Sequence, residues 1–177
     1  MNQPEPTTIQ IERLVERNDI LPEGVGVGKG LLLPAPWELM LMQVADEQDR
    51  YRVYWCCPRC LDVGSLGHQV EIEAAGMQFT CRSDENRDER DYLAILPEEL
   101  VELKEATDIQ VTVNPSIGCR CCGFHCYLEQ SEYRVLSDWD GDDGRDPSAV
   151  FTNRIQHLHE HRPDAYDRLA TLVEGEA

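Results

Sequence analysis

Lysine is nearly missing from this sequence: Lys29 and Lys104 stand alone, and arginine supplies almost all of the positive charge. That bias suits either a high-GC coding preference or a salt-adapted cytoplasm. Basic residues are scarce altogether, 16 against 34 acidic ones, for a formal net charge of -18 over 177 residues. A surface this negative repels phosphate backbones at any distance its field reaches, which argues against ordinary nucleic-acid binding. Long apolar runs are missing too. No segment approaches the roughly 20 apolar residues that a bilayer-spanning helix needs. The opening Met1-Asn2-Gln3-Pro4-Glu5-Pro6 has neither the basic start nor the apolar stretch of a secretory signal. The expected compartment is therefore the cytoplasm of a bacterium or archaeon, or of a phage-infected cell. The 41% hydrophobic content still suffices for a modest core, and the length suits one domain with an arm or tail.

Cysteine, by contrast, is plentiful. In a reducing cytosol, eight cysteines are better explained by metal thiolate than by disulfides. Their clustering points the same way. Cys57-Pro58-Arg59-Cys60 has the spacing at which a tight turn aims two sulfurs at one ion about 2.3 Å away, with Pro58 stiffening the turn. The segment Cys119-Arg120-Cys121-Cys122-Gly123-Phe124-His125-Cys126 offers a second half-site in two ways, Cys119 with Cys122 or Cys122 with His125. Spacing alone leaves both open. Each cluster adjoins an expected strand, as the two facing turns of a zinc ribbon do. Cys56, Cys81, Cys121 and Cys126 are left without an assigned role, and buried thiol is the plain reading of them.

The intervening sequence is rich in short strands. Residues 51–55, 69–73, 77–80, 92–96, 109–113 and 133–136 are β-prone or alternate polar with apolar positions. Pro97 opens a helix through Lys104 with Glu98 and Glu99 in its first turn; Pro147 opens another to about His161, and Pro163 a terminal one. Residues 8–16 fit neither helix nor strand and are expected at the periphery, 21–36 reads as a glycine- and proline-rich loop, and 37–44 suits either helix or strand. Acidic runs at 84–91 and 138–146 read as solvated loops. The expected architecture is α+β: an N-terminal arm packing on the core (1–50), a zinc-binding core with a short-stranded antiparallel sheet and zinc ribbon-like knuckles (51–136), and an acidic loop with a C-terminal helical tail (137–177).

Three segments together carry a resemblance: Cys57-Pro58-Arg59-Cys60, Val113-Asn114-Pro115-Ser116-Ile117 and Cys122-Gly123-Phe124-His125. In these the middle half of the chain resembles an uncharacterised family of small bacterial and phage zinc ribbon-like proteins. That family pairs a Cys-Pro-containing knuckle with a later Pro-Ser-Ile segment and a Cys-x-x-His. Its usual glycine in the following turn is replaced here by Ser131 and Glu132, and Cys126 stands where a small or apolar residue is common. The resemblance implies Cys57, Cys60, Cys122 and His125 as ligands of one structural zinc, with Cys119 the alternative to His125.

Catalytic signatures are incomplete. A zinc deaminase needs a His-x-Glu ahead of its Pro-Cys-x-x-Cys, and none precedes Cys57. A redox role for Cys57 and Cys60, with Arg59 lowering a thiol pKa, leaves the second cysteine cluster unexplained. His157-Leu158-His159-Glu160-His161 matches an inverted zinc-protease signature, but Pro163 breaks the helix behind it and little chain remains to supply a third ligand. The stretch ending in Gly28-Lys29-Gly30 lacks a phosphate loop's first glycine and its hydroxyl, and Asp138, Asp140 and Asp142 open a calcium loop that Asp143 and Ala149 fail to complete. The expected function is a metal-stabilised interaction or scaffold module that contacts another protein. Two rivals are an acidic decoy for a nucleic-acid-binding protein and a small zinc hydrolase with Glu71 or Glu73 near the metal.

Overall fold

A computed structural model describes residues 9–21, 33–66, 69–81 and 91–174. The glycine stretch with Lys29 and most of the 84–91 acidic run lie outside the described residues. In chain order the elements are β1 (Arg13–Glu16), a short 3-10 turn, β2 (Glu38–Gln43), β3 (Arg50–Cys56), β4 (Val63–Ser65), β5 (Gln69–Ala74), β6 (Met77–Thr80), β7 (Leu93–Ala94), α1 (Pro97–Glu105), β8 (Gln110–Gly118), β9 (His125–Glu129), β10 (Glu132–Val135), α2 (Pro147–His161) and α3 (Pro163–Glu174).

The strands form two five-stranded sheets, and the architecture is α+β. The first runs β1-β2-β3-β4, with β7 sharing the far edge of β3; only the β1–β2 pair is parallel. The second runs β10-β9-β8-β5-β6 and is antiparallel throughout. Alternation explains its centre: in β5, Val70, Ile72 and Ala74 are buried while Gln69, Glu71 and Glu73 are exposed, as period-two side chains on a half-covered sheet must be. In β2, Glu38, Leu39, Met40 and Leu41 are all buried, because the strand lies between β1 and β3 with both faces covered. That continuous run is what made 37–44 compatible with either helix or strand.

Residues 9–16 are not peripheral. Ile9, Ile11, Leu14 and Val15 are all buried, and the segment ties the sheets together. Gln10 bridges Glu132 of β10 and Ile11 N–H donates to Ser131 O (2.8 Å), after which the chain crosses to pair with β2 in the first sheet. One hydrophobic cluster runs through both sheets. At its middle Trp55 (β3), Phe124 and Tyr133 (β10) stand with each pair of ring centroids 6.4 Å apart, and the buried Tyr133 hydroxyl donates to Pro36 O (3.1 Å).

The helical end is fastened by a buried ion pair. Asp146 caps α2 by accepting from Ser148 N–H (3.0 Å), and Phe151, Leu158, Ala165 and Leu169 face the core. Between α2 and α3, Arg162 donates to Glu38 Oε2 and Oε1 (2.7 and 3.0 Å) and to Leu33 O (2.9 Å); Arg13 and the Ala35 N–H also donate to Glu38. Burial alone would raise the Glu38 pKa, but the hydrogen bonds and charge of Arg162, with Ala35 and Arg13, outweigh it and hold the carboxyl below its ordinary value of 4.5. A depressed carboxylate contributes stability that is complete above the ordinary value and is lost as pH falls through the folded one. Arg162→Leu leaves this buried carboxylate with only Arg13 and the Ala35 N–H and is expected to cost about 3–5 kcal/mol near neutral pH. Urea denaturation of the two proteins between pH 7 and pH 3 tests this: the gap should narrow as pH falls below 4.5, and a gap that stays constant would deny Glu38 its role.

Candidate metal centre

Two hairpin turns build the site, and they are made alike. The first joins β3 to β4: Cys57 N–H donates to Asp62 O (2.8 Å), Leu61 N–H donates to Cys57 O (2.9 Å), and Leu61 has φ 61. The second joins β8 to β9: Cys119 N–H donates to Phe124 O (2.8 Å), Gly123 N–H donates to Cys119 O (2.9 Å), and Gly123 has φ 72. Each is a Cys-x-x-Cys loop closed by one left-handed residue, which reverses the chain and leaves both sulfurs on the inside of the turn. Gly123 takes that conformation without a side-chain penalty, whereas Leu61 is held in it by a side chain that is 1% exposed.

The turns face each other. Cys57 Sγ lies 3.7 Å from Cys122 Sγ and Cys60 Sγ lies 3.5 Å from Cys119 Sγ, and all four sulfurs fall within 4.8 Å of one another. Metal–sulfur bonds of about 2.3 Å in a tetrahedron set neighbouring sulfurs about 3.8 Å apart, so this spacing fits a four-thiolate metal centre. No family model, curated protein or solved structure matches this chain. The centre therefore rests on its own geometry. Without a disulfide among the eight cysteines, the four sulfurs compete for shared protons. Burial pushes Cys57 up, the sulfur hydrogen bond to Cys119 pushes Cys60 up, and Cys119 is held well down by bonds from Cys122, Cys57 and Cys60. A metal ion coordinated by all four would remove that competition.

Three of the expected ligands, Cys57, Cys60 and Cys122, meet in this cluster, and the fourth sulfur is that of Cys119. His125, which the resemblance implied as the fourth ligand, stands outside it. The reason is strand parity: β9 begins at His125, and side chains alternate from there, so Cys126 and Leu128 turn into the core while His125 and Tyr127 face outward. His125 instead hydrogen-bonds Ser116. Among the described residues no other group of three or more histidine, cysteine or acidic side chains is close enough to hold a metal. On α2, His159 and His161 are exposed, with His159 edge-on to Tyr166, and Glu71 and Glu73 lie on the exposed face of β5.

The acidic segment 138–146 is not simply solvated, and no sequence signal marked what it does. It closes over both turns as a strap. Trp139 N–H donates to Gly123 O (2.9 Å) and Asp143 N–H to Arg120 O (3.2 Å), both in the second turn. Asp138 pairs with Arg59 of the first turn (2.9 Å), and Arg145 reaches back with two bonds to Asp62 (2.9 and 2.6 Å) while also binding Asp143. Arg59 lies over the Phe124 ring, 5.2 Å from its centroid. Within the strap Asp142 accepts from Gly144 N–H and Asp146 caps α2.

The remaining thiols are packing groups. Burial drives Cys56 far above the ordinary thiol range, pushes Cys126 up to about 12, and raises Cys121. Maleimide labelling of the native, metal-loaded protein is expected to reach the half-buried Cys81 first, with Cys56 and Cys126 labelled only on unfolding. Peptide mapping reads the order, and Cys126 modified as fast as Cys81 would contradict it.

Proposed function

We propose that this chain is a metal-stabilised interaction or scaffold module built around one structural zinc, held by Cys57, Cys60, Cys119 and Cys122. The observation that carries this reading is the closed set of four sulfurs, supplied in pairs by two like turns from different sheets. Zinc suits an all-thiolate tetrahedron. With four protein ligands the ion keeps no open position for water, so it neither polarises a carbonyl nor generates hydroxide, and its contribution is to folding. That supports a structural role over a zinc hydrolase.

Another protein is the partner this reading assigns. The charge of -18 opposes nucleic acid. A decoy reading draws less support, because the described acidic segment spends Asp138 and Asp143 on the chain's own arginines. Membership of the Cys-Pro-x-Cys, Pro-Ser-Ile and Cys-x-x-His family belongs to the same proposal. It is supported by where the motifs fall, on the two metal-site turns and the strand between them. Among the described residues no helix is long and apolar enough to cross a membrane.

Native mass spectrometry with elemental analysis tests the proposal, with one zinc per chain as the expected stoichiometry. Cys57→Ser or Cys119→Ser should abolish zinc binding and the cooperative melt together. Structural zinc in finger peptides is worth about 10–16 kcal/mol, against a net stability of about 5–15 kcal/mol for a whole domain. His125→Ala should keep its zinc. A folded Cys119→Ser protein with full zinc would remove the site.

A further inference from the structure

Beside the metal centre, on the same hairpin, lies a cavity of about 500 Å³ that the metal does not account for. Trp55 and Trp139 supply apolar walls, and Ser116, Arg120 and His125 supply polar groups. Three features set Ser116 and His125 apart within it.

The first is a bulge. Between the ladder positions Val113↔Leu128 and Ile117↔Cys126, the three residues 114–116 of β8 oppose the single Tyr127 of β9. Such an insertion breaks the alternation of the strand and re-aims its side chains. It brings the Ser116 hydroxyl to 2.7 Å from His125 Nε2, although the direct ladder partner of His125 is Gly118.

The second is the orientation of the ring. Its other nitrogen, Nδ1, lies 3.3 Å from Ser137 O. A carbonyl oxygen only accepts, so in the neutral imidazole the tautomer with the proton on Nδ1 fits this contact and leaves the Nε2 lone pair for the Ser116 hydroxyl, which donates. This is the arrangement of a nucleophile, its base and a group that fixes the base, a three-part logic that recurs across unrelated folds.

The third is access. Ser116 and His125 are both half-buried and both line the cavity, so their hydrogen bond is not needed to satisfy polar groups sealed in a core. Trp139 lies against Gly118, where an added Cβ would come within 2.4 Å of the indole, and so walls the cavity next to the pair. Arg120 is the cationic group along the same lining.

We propose that Ser116 and His125 are a nucleophile and general base for acyl transfer from a small carboxylic ester bound in this cavity, with Arg120 placed to receive negative charge. In the first step Ser116 Oγ bonds to the ester carbonyl carbon and its proton passes to His125 Nε2. The carbon–oxygen bond to the alcohol then breaks, and the alcohol leaves with that proton. A water molecule next gives a proton to Nε2 and attacks the acyl-serine. The bond to Oγ breaks, the acid departs, and Oγ recovers the proton. The Ser137 carbonyl is a positioning group throughout. This activity goes beyond the structural role of zinc, which enters only by holding together the turn between β8 and β9.

An alkyl fluorophosphonate tests the pair directly, because the same nucleophile displaces fluoride from phosphorus: the Oγ–P bond forms, P–F breaks and the proton goes to Nε2. The full chain carrying its metal is expected to gain one adduct, mapped to Ser116. Ser116→Ala should gain none, and His125→Gln should react at least ~100-fold more slowly. Native mass spectra should show metal retained in both variants, which separates failure here from failure of the metal centre. No adduct on the wild-type chain, an adduct elsewhere, or a His125→Gln rate equal to wild type would overturn the proposal.

Discussion

The approach of four sulfurs from two separate sheets is the constraint on which the rest of the structure depends. One pair closes the turn after β3 and the other the turn after β8, so the cluster joins the sheets where no ladder hydrogen bond does. Bringing together residues some sixty positions apart costs chain entropy, and four thiols in contact, three of them buried, return little of it. A metal ion held there would reverse that balance, because each metal–thiolate bond exists only in the folded arrangement. The Trp55, Phe124 and Tyr133 rings lie directly behind the turns, so the sulfur cluster and the aromatic centre of the core share the same junction.

Scarce positive charge is placed where elements meet. Arg59 and Arg145 bind the 138–146 strap to the first turn, Arg162 joins the α2–α3 corner to β2, and Lys104 joins α1 to Glu16 and Asp19 near β1. In a chain with 34 acidic residues, such cations select which carboxylates become structural and leave the others in water. The exposed pairs among them contribute little energy each, and their role is to fix position. The Arg162–Glu38 pair differs, being buried and multiply hydrogen-bonded.

How much of this was legible in the sequence follows the range of the forces involved. Strands such as 69–73 and 77–80, and helices opened by Pro97, Pro147 and Pro163, announce themselves through period and capping, which are local. The first knuckle was equally plain, since Pro58 and the x-x spacing define it within four residues. Residues 9–16 were not, because Ile9 and Ile11 serve one sheet and Leu14 and Val15 the other, and no single period describes a strand that changes sheets. The strap was illegible for a different reason: its partners Arg59, Asp62 and Arg120 lie far upstream, and an acidic run looks the same whether paired or solvated.

Choosing between Cys119 and His125 needed information that spacing does not hold. Both stand three positions from Cys122, but a chain leaving a left-handed turn at Gly123 enters β9 with a fixed parity. Cys126 takes the inward position, and His125 must then face outward. The bulge in β8 sends Ser116 to the same side, so one register decides two things together: it completes the sulfur cluster with Cys119 and gives the displaced imidazole a hydroxyl partner at 2.7 Å. Ser116 of the Pro-Ser-Ile segment and His125 of the Cys-x-x-His segment thus meet outside the sulfur cluster, while Cys122 of the latter segment lies within it.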